Sequence, residues 1–311
     1  MSKLLFSTSS FNLDNFKERS IVEAAGFEFI FNPNGRRLTE EEILELLDEQ
    51  VVGMLAGTEP LTRSVIRKAK SLKVISRCGT GLDNVDLDEA HRQGVRVYNT
   101  PDAPTSAVAE LTLAHILSLS RYLVKSDKLI HAGNWQSLMG RLIARQTMGV
   151  VGFGRVGRQV ARLLEAFGAK VLVYDKVKID LFGKVEFVEF EQLLKESDVV
   201  TLHLPYASDA HHLINEKALR IMKTDALLVN VARGGLIDEN ALYQALKEKR
   251  LGGAALDCFE SEPYTGPLLD CDNVQMTAHM GSYAKETRAI MEENACSHLV
   301  HGLREQGLLT F

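Results

Sequence analysis

Residues 150–175 read VVGFGRVGRQVARLLEAFGAKVLVYD, a glycine-rich turn with regular elements expected on either side of it. Val150 and Val151 end an apolar run typical of a buried strand, and the residues after the glycines carry apolar side chains at helical spacing. A second apolar run, 170–174, ends at Asp175. The pattern predicts a strand, a tight turn, a helix and a second, parallel strand.

The turn has the G-x-G-x-x-G spacing of a dinucleotide-binding loop, carried by Gly152, Gly154 and Gly157. Glycine permits the tight turn, the close approach of the backbone to a pyrophosphate and close packing of the helix on the strand. The helix N-terminus would bind the pyrophosphate through its backbone N–H groups and its dipole. Asp175 lies 18 residues past Gly157 (175 − 157), near the spacing expected for the acid that binds the ribose 2′-hydroxyl. The sequence therefore predicts NAD rather than NADP, a preference that Lys176 and Lys178 would weaken.

Length, composition and charge exclude several classes of protein. The chain has 311 residues, enough for two domains, and its 45% hydrophobic and 25% charged content is typical of a soluble globular protein. A net charge of −5 offers no basic surface for nucleic acid. The cysteines lack zinc-site spacing, so we expect reduced thiols and no metal, with Cys258 in the core. No apolar run suits a signal peptide or a membrane span, which predicts a cytoplasmic protein.

Short apolar runs alternate with helical patterns along the chain, which predicts doubly wound parallel sheets. Strands are expected at 4–6, 27–31, 51–55, 72–75, 95–97, 199–204, 226–230, 253–257 and 274–277. Helices are expected at 16–25, 40–48, 62–70, 87–93, 190–196, 215–221 and 239–248. Pro101 and Pro104 precede a long helical pattern at 107–131, and a last helix is predicted over 284–303.

These elements predict two α/β domains. A Rossmann-type NAD domain, 101–283, is expected to be inserted into a flavodoxin-like substrate domain, which would consist of 1–100 and 284–311. Because the cofactor sheet already has its strands, the last helix is expected to return to the first domain. Two linkers would then cross at one hinge, with a cleft between the domains.

Three strands of the second domain are followed by segments that carry a cation, a carboxylate or an imidazole, namely Arg233, Glu262 and His279. Ligands bind at the carboxyl ends of parallel strands, so these groups are expected in one pocket. They suit hydride exchange with a 2-hydroxy acid, because histidine can take the hydroxyl proton while a carboxylate holds its ring and raises its pKa. Arginine can bind the substrate carboxylate and polarise the carbonyl oxygen.

These segments resemble the signature blocks of the D-isomer-specific 2-hydroxyacid dehydrogenase family, most closely its phosphoglycerate dehydrogenase-like branch. The resemblance covers nearly the whole chain. It rests on RCGTGLDNVD at 77–86, VAEL at 108–111, GFGRVG at 152–157, HLP at 203–205, ARGGLID at 232–238, AALD at 254–257 and His279.

The resemblance implies roles for individual residues. Arg233 corresponds to the substrate-orienting arginine, Glu262 to the acid partner and His279 to the general acid/base. His203, beside Pro205, is expected to pack rather than to act as a second base. Cofactor contacts are expected from Gly152, Gly154, Arg155, Val156, Gly157, Asp175, Leu204, Pro205, Val231, Asp257 and Gly281.

The resemblance also implies a substrate loop and a homodimer. Backbone N–H groups around Cys78, Gly79 and Thr80 correspond to the loop that receives the substrate carboxylate, and Arg77 adds positive charge toward a phosphate. The helix after the first linker, about 107–121, implies a two-fold dimer.

The substrate side chain stays open at this stage. 3-Phosphoglycerate, with 3-phosphohydroxypyruvate as its keto acid, leads because the block at 77–86 resembles the phosphoglycerate dehydrogenase branch. Glyoxylate, hydroxypyruvate or another small 2-keto acid is the alternative, since Gly57–Pro60 stands where well-known members carry an arginine. Met280–Tyr283 also departs from the commoner Ile-Gly-Gly-Ser. An NAD-sensing, corepressor-like binding protein is the alternative from a different class.

Overall fold

The chain forms two compact units in a computed structural model that describes residues 1–177 and 183–310. The first unit comprises Met1–Pro104 and the residues from Ser282 onward, and the second unit comprises Thr105–Gly281. The divisions fall after Pro104 and after Gly281, and the assignment of a cofactor domain and a substrate domain stays a prediction. Lys178, one of the two lysines expected to weaken the preference for NAD, lies outside the described residues.

The first unit contains a five-stranded parallel sheet. Its strands are β1 (Lys3–Phe6), β2 (Glu28–Phe31), β3 (Val51–Ala56), β4 (Val74–Arg77) and β5 (Arg96–Asn99). The order β2-β1-β3-β4-β5 is that of flavodoxin-like folds. The helices between the strands are α1 (Arg19–Ala24), α2 (Glu40–Leu46), α3 (Arg63–Lys68) and α4 (Leu87–Arg92). Every residue of β3 is buried, as expected of a central strand covered on both faces.

The second unit contains a seven-stranded parallel sheet. Its strands are β6 (Thr147–Val151), β7 (Lys170–Tyr174), β8 (Glu186–Phe187), β9 (Val199–Leu202), β10 (Leu227–Asn230), β11 (Gly253–Leu256) and β12 (Val274–Met276). Its helices are α5 (Thr105–Arg121), α6 (Leu123–His131), α7 (Arg155–Ala166), α8 (Phe190–Glu196), α9 (Glu216–Ile221) and α10 (Glu239–Lys247). The order β12-β11-β10-β9-β6-β7-β8 reverses direction at β6 and β9, as in Rossmann sheets. The predicted fold class, two doubly wound parallel sheets, is confirmed.

The last helix, α11 (Lys285–Glu305), belongs to the first unit. It packs on the sheet, where Ser76 of β4 donates a 2.7 Å hydrogen bond from its hydroxyl to the carbonyl of Ala295. Gly53 of β3 permits the close approach, because a Cβ there would lie 3.0 Å from a methyl carbon of Leu299. One face of the first sheet is therefore covered by a helix that follows the second unit in sequence.

Two elements differ from the sequence prediction. The single helix predicted at 107–131 is wrong: it is two helices, bent by 61°, because Tyr122 between α5 and α6 adopts a left-handed backbone conformation (φ 55°). The edge strand β8 was not predicted, since two residues are too few to show an alternating pattern. No single described helix is long and apolar enough to cross a membrane, and α5 and α6 meet that criterion only as a bent pair.

Candidate active site

The glycine loop between β6 and α7 has the geometry of a pyrophosphate cradle. Gly152 adopts φ +93°, and a Cβ there would lie 2.6 Å from the carbonyl oxygen of His203, so only glycine suits this turn. A Cβ at Gly157 would lie 2.0 Å from the carbonyl oxygen of Gly152, which shows how closely α7 packs on the loop. A Cβ at Gly154 would meet nothing within 4 Å, so the backbone borders open space at the start of α7. These are the three roles that the fingerprint assigns to its glycines.

Asp175 lies at the end of β7, beside this loop. One of its carboxylate oxygens accepts a 2.7 Å hydrogen bond from the backbone N–H of Phe153, and the other accepts one of 3.0 Å from Val177. A carboxylate has about four lone-pair positions, so it can accept a ribose hydroxyl as well. The loop and the acid together suit a dinucleotide cofactor.

His203 follows β9 and packs beside the glycine loop, as predicted. Its Nε2 lies 3.0 Å from the hydroxyl of Thr201, and desolvation lowers the pKa of His203 to about 3. The ring is therefore neutral at physiological pH and unsuited to accept a catalytic proton there.

The residues predicted to contact the cofactor occupy loops at the carboxyl ends of the second sheet. Asp175 follows β7, Asp257 follows β11, and Gly281 lies beyond β12. The others also lie on loops at this edge or on the first turn of α7: Gly152, Gly154, Arg155, Val156, Gly157, Leu204, Pro205 and Val231. Parallel sheets bind their ligands at this edge.

His279 and Glu262 form a direct pair at the same edge. The Nδ1 atom of His279 lies 2.9 Å from each carboxylate oxygen of Glu262. One of these oxygens also accepts a 3.1 Å hydrogen bond from the backbone N–H of Phe259, which fixes the carboxylate. The side chains of His279 and Glu262 are 33% and 20% exposed, so the pair is accessible from solvent. This arrangement holds the imidazole through one nitrogen and directs proton exchange to the other, Nε2.

Arg233 and Cys258 contact the same backbone carbonyl, and Cys258 lies close to the His279–Glu262 pair. The Nη1 atom of Arg233 donates a 2.7 Å hydrogen bond to the carbonyl of Ala232. The same carbonyl accepts a contact of 3.5 Å from Sγ of Cys258. That sulfur atom lies within 4.8 Å of a carboxylate oxygen of Glu262 and of a ring nitrogen of His279. The structure therefore places Arg233, Glu262 and His279, which come from three separate stretches of sequence, in one neighbourhood.

Local packing holds the arginine loop against the loop after β11. The side-chain amide of Asn230 donates to the carbonyl of Arg233 at 2.8 Å and accepts from the N–H of Ala232 at 3.0 Å. A Cβ at Gly234 would lie 1.9 Å from the carbonyl carbon of Phe259, so the two backbones touch there. Glycine at this position is what allows the two loops to meet.

Asp257 has a different environment from that expected of a cofactor contact. Its side chain is fully buried, and its carboxylate accepts hydrogen bonds from the hydroxyl of Thr277 at 2.6 Å and from the N–H groups of Met280 and Gly281, each at 2.8 Å. The N–H of His279 donates to the carbonyl of Asp257 at 2.8 Å. Asp257 thus anchors the turn that carries His279, which adopts a left-handed conformation (φ 51°).

His115 of α5 joins the hydrogen-bond network of Asp257 through Thr277. Its Nε2 lies 3.2 Å from the hydroxyl oxygen of Thr277, which in turn donates to Asp257. Burial lowers the pKa of His115, although the charge of Asp257 opposes the effect. The sequence analysis identified neither His115 nor Thr277, and the only available signal was the position of Thr277 directly after β12.

The substrate loop after β4 needs a correction. The N–H of Cys78 donates to the carbonyl of Ala56 at 2.7 Å, and that of Gly79 donates to the carbonyl of Arg77 at 2.9 Å. The amides of Cys78 and Gly79 therefore hold the loop instead of facing a ligand, because the first continues the sheet ladder and the second closes a turn. Of the three residues predicted to receive a carboxylate, Thr80 stays the candidate.

Arg77, which was expected to add positive charge toward a phosphate, contacts its own loop in the structure. The residue is buried, and its Nη1 donates a 2.9 Å hydrogen bond to the carbonyl of Cys78. A Cβ at Gly79 would lie 1.1 Å from this nitrogen, so the guanidinium occupies the space above the glycine. Burial raises the pKa of the Cys78 thiol, which keeps it protonated. Arg77 therefore shapes its own loop.

Comparison with known sequences gives one family and several relatives. Residues 113–281 match the family described as D-isomer specific 2-hydroxyacid dehydrogenase, NAD binding domain. The chain is 37% identical to a hydroxypyruvate reductase of Thermotoga maritima, over 81% of this chain and 84% of that protein. It is 38% identical to a glyoxylate reductase of Korarchaeum cryptofilum, over 78% and 76% of the two chains. It is 42% identical to a D-3-phosphoglycerate dehydrogenase of Methanocaldococcus jannaschii, over 81% of this chain but only 49% of that protein.

Solved structures are also similar. The TT0316 protein of Thermus thermophilus is 34% identical with a TM-score of 0.88, over 97% of each chain. A D-lactate dehydrogenase of Aquifex aeolicus, complexed with NAD and lactic acid, is 28% identical with a TM-score of 0.85, over 99% of this chain and 96% of that one.

Proposed function

The chain belongs to the D-isomer specific 2-hydroxyacid dehydrogenase family and uses NAD, and from this premise we propose that it interconverts a small D-2-hydroxy acid and its 2-keto acid through Arg233, Glu262 and His279. The observation that carries the proposal is the His279–Glu262 pair, with Nδ1 held at 2.9 Å from the carboxylate. Arg233 lies in the same neighbourhood. In this proposal the second unit binds the cofactor and the first unit binds the substrate.

Each residue of the group has one task in this reaction. The glycine loop and Asp175 would hold NAD, which would supply the hydride acceptor for oxidation of the alcohol carbon and, as NADH, the hydride donor for the reverse reaction. In the oxidative direction Nε2 of His279 accepts the hydroxyl proton, and Glu262 stabilises the imidazolium through Nδ1. The guanidinium of Arg233 binds the substrate carboxylate and the oxygen on which carbonyl character develops. Asp257 holds the turn that presents His279.

Two features of the first unit favour a substrate without a phosphate group. Arg77 is used inside its own loop and does not extend a charge outward. Glu59, in the loop after β3, is a buried carboxylate that accepts two hydrogen bonds from the N–H of Gly57, at 2.8 and 3.0 Å. An acid under this loop disfavours an anionic group nearby. We therefore propose glyoxylate or hydroxypyruvate as the keto acid, in line with the names of several relatives.

3-Phosphoglycerate is the second candidate. It is supported by the relative named D-3-phosphoglycerate dehydrogenase, which is 42% identical over 260 residues, and by the block at 77–86. A panel of NADH-dependent reductions separates the two. We expect higher kcat/KM with glyoxylate or hydroxypyruvate than with 3-phosphohydroxypyruvate, and the reverse order would favour the second candidate. Tight NADH binding without turnover of any acid would favour a corepressor-like sensor.

Assembly and location are part of the proposal. The segment after α6 exposes two large apolar side chains almost completely, Trp135 and Met139, each 93% exposed. Exposed apolar groups of this kind mark interaction surfaces, which supports a homodimer. The four cysteines are all thiols in the described structure, as in proteins of reducing compartments, which supports a cytoplasmic location.

A further inference from the structure

We propose that Cys258, Glu262 and His279 form an inhibitory binding site for a thiophilic divalent cation, of which Zn²⁺ is the representative. The three residues offer a sulfur, an oxygen and a nitrogen atom that all lie within 4.8 Å of one another. Binding of the cation needs only this geometry, whereas inhibition rests on the proposed function of His279 and Glu262. The site lies entirely within the second unit.

The cluster is already assembled by contacts that do not involve a cation. His279 and Glu262 are 2.9 Å apart. Phe259 fixes the carboxylate of Glu262 through its N–H, and the carbonyl of Ala232 fixes the sulfur atom of Cys258. Little conformational freedom remains to be lost when a cation binds, which favours binding.

The donor set suits Zn²⁺ better than Mg²⁺ or Ca²⁺. Zinc binds cysteine sulfur at about 2.3 Å and histidine nitrogen or carboxylate oxygen at about 2.0–2.2 Å, commonly with three protein ligands and one water. Tetrahedral angles then place the ligand atoms about 3.5 Å apart. The widest separation in the cluster, which is at most 4.8 Å, must therefore shrink by no more than about 1.3 Å. Mg²⁺ and Ca²⁺ prefer oxygen ligands throughout.

The sulfur atom of Cys258 would contribute most of the affinity for the cation. His279 and Glu262 would be the residues that the cation reaches first from solvent. Cys258 is only 3% exposed, so its thiol is less accessible to solvent than the pair. His279 and Glu262 are partly exposed, so a hydrated cation can reach them first. The positive charge of the nearby Arg233 guanidinium disfavours binding of a cation. The negative charge of the Cys258 thiolate, which forms on binding, offsets this repulsion.

Binding would block catalysis through the proton balance at His279. Zn²⁺ replaces the proton of the Cys258 thiol, which is released to solvent, and takes the lone pair of Nδ1. The remaining imidazole proton then resides on Nε2. An Nε2 atom that already carries a proton cannot accept one from the substrate hydroxyl, and Glu262 is bound to the cation instead of the ring. Oxidation of the hydroxy acid is therefore prevented. Reduction of the keto acid is blocked as well, because donation of the Nε2 proton would leave a cation-bound imidazolate instead of a neutral imidazole.

The test measures cation binding and inhibition separately, on the full-length protein. Titration with Co²⁺ as a spectroscopic probe should give a thiolate-to-cobalt charge-transfer band in the wild type. The band should be absent in Cys258→Ala and Cys258→Ser and retained in Cys271→Ser. Cys271 is a matched control because it is also a buried thiol of the second unit. The cobalt band needs no substrate. It therefore shows whether the cluster binds a cation even if the proposed reaction is wrong.

Inhibition is then measured as NADH-dependent reduction of the best keto acid at increasing Zn²⁺. We expect the wild type and Cys271→Ser to lose activity and to recover it with a chelator. Both Cys258 variants should keep activity and need at least about 10-fold more Zn²⁺ for the same loss. A wild-type protein without the cobalt band, or Cys258 variants inhibited as strongly as the wild type, would overturn the proposal.

Discussion

At the residue scale, the central feature is that one carboxylate engages a single nitrogen of an imidazole. Glu262 holds Nδ1 of His279, so the other nitrogen is the one that exchanges a proton in the proposed reaction. The identities of both residues were predictable because each follows a strand that ends at the ligand-binding edge. The role of Asp257 was not, because burial of its side chain depends on the backbone of the turn after β12.

Asp175 is the residue predicted to set the choice between the two nicotinamide dinucleotides. Its carboxylate is held beside the glycine loop by the N–H groups of Phe153 and Val177. Removing the charge in Asp175→Ala should weaken NADH binding by about 10- to 150-fold, since hydrogen bonds to a charged group contribute roughly 1.5–3 kcal/mol. The KM for NADPH should change less, because the repulsion of the 2′-phosphate is lost as well.

The measurement is the KM of each cofactor with a single keto acid. Asp225→Ala serves as a matched control, because that aspartate is exposed, pairs with Arg141 and precedes β10, away from the carboxyl ends of the strands. An unchanged ratio of NADH to NADPH efficiency in Asp175→Ala would be inconsistent with the assigned role.

At the element scale, the strand–turn–helix unit around β6 and α7 follows directly from the sequence. The predicted strand 170–174 matches β7, and α7 begins directly after Gly154, as the glycine pattern requires. The break between α5 and α6 was not predictable, because Tyr122 has no intrinsic preference for its left-handed conformation. In this segment the apolar pattern correctly predicted α-helix but did not show that the helix is interrupted.

Two glycines of α7 and its loop should respond differently to alanine. In Gly154→Ala the new methyl group meets open space in the protein, so the thermal midpoint should change little. NADH binding should nevertheless weaken, because the methyl group occupies the approach of the pyrophosphate. In Gly157→Ala the methyl group would lie 2.0 Å from the carbonyl oxygen of Gly152, so both stability and binding should fall.

Thermal unfolding and NADH fluorescence titration measure the two effects. A Gly154→Ala variant that binds NADH as tightly as the wild type would contradict the prediction that the pyrophosphate binds at the glycine loop. A Gly157→Ala variant as stable as the wild type would contradict the close packing of α7.

At the scale of the whole molecule, the two doubly wound parallel sheets were predictable from the alternation of strands and helices. The same sequence patterns did not reveal that Arg77 and two loop amides of the first unit are used internally. Such hydrogen bonds depend on the exact path of a loop, which periodicity does not encode. Substrate selectivity, which depends on such loops, accordingly stays a prediction.

His203 should make the free energy of unfolding depend on pH below neutrality. Desolvation lowers the pKa of His203 to about 3, below the value of about 6.5 for an unfolded histidine. The unfolded state therefore binds more protons between these pH values. The stability that the neutral ring provides is complete above pH 6.5 and is lost as the pH falls toward 3, by up to about 1.4 kcal/mol per pH unit.

Unfolding by urea at several pH values measures this dependence. His203→Gln should show a shallower loss of stability between about pH 6 and pH 4 than the wild type. His131→Gln, which changes an exposed histidine, should keep the wild-type slope. Equal slopes in His203→Gln and the wild type would rule out the desolvated neutral ring as the source.

The most direct test of the proposed reaction compares kcat/KM for NADH-dependent reduction of glyoxylate and hydroxypyruvate in the wild type, His279→Gln and His131→Gln. The wild type and His131→Gln should turn over at least one of these acids at equal rates. His279→Gln should lose about 10²- to 10⁴-fold of that activity while still binding NADH, because it lacks the group that exchanges the proton. Wild-type activity in His279→Gln would show that proton exchange does not pass through this imidazole and would contradict the proposed mechanism.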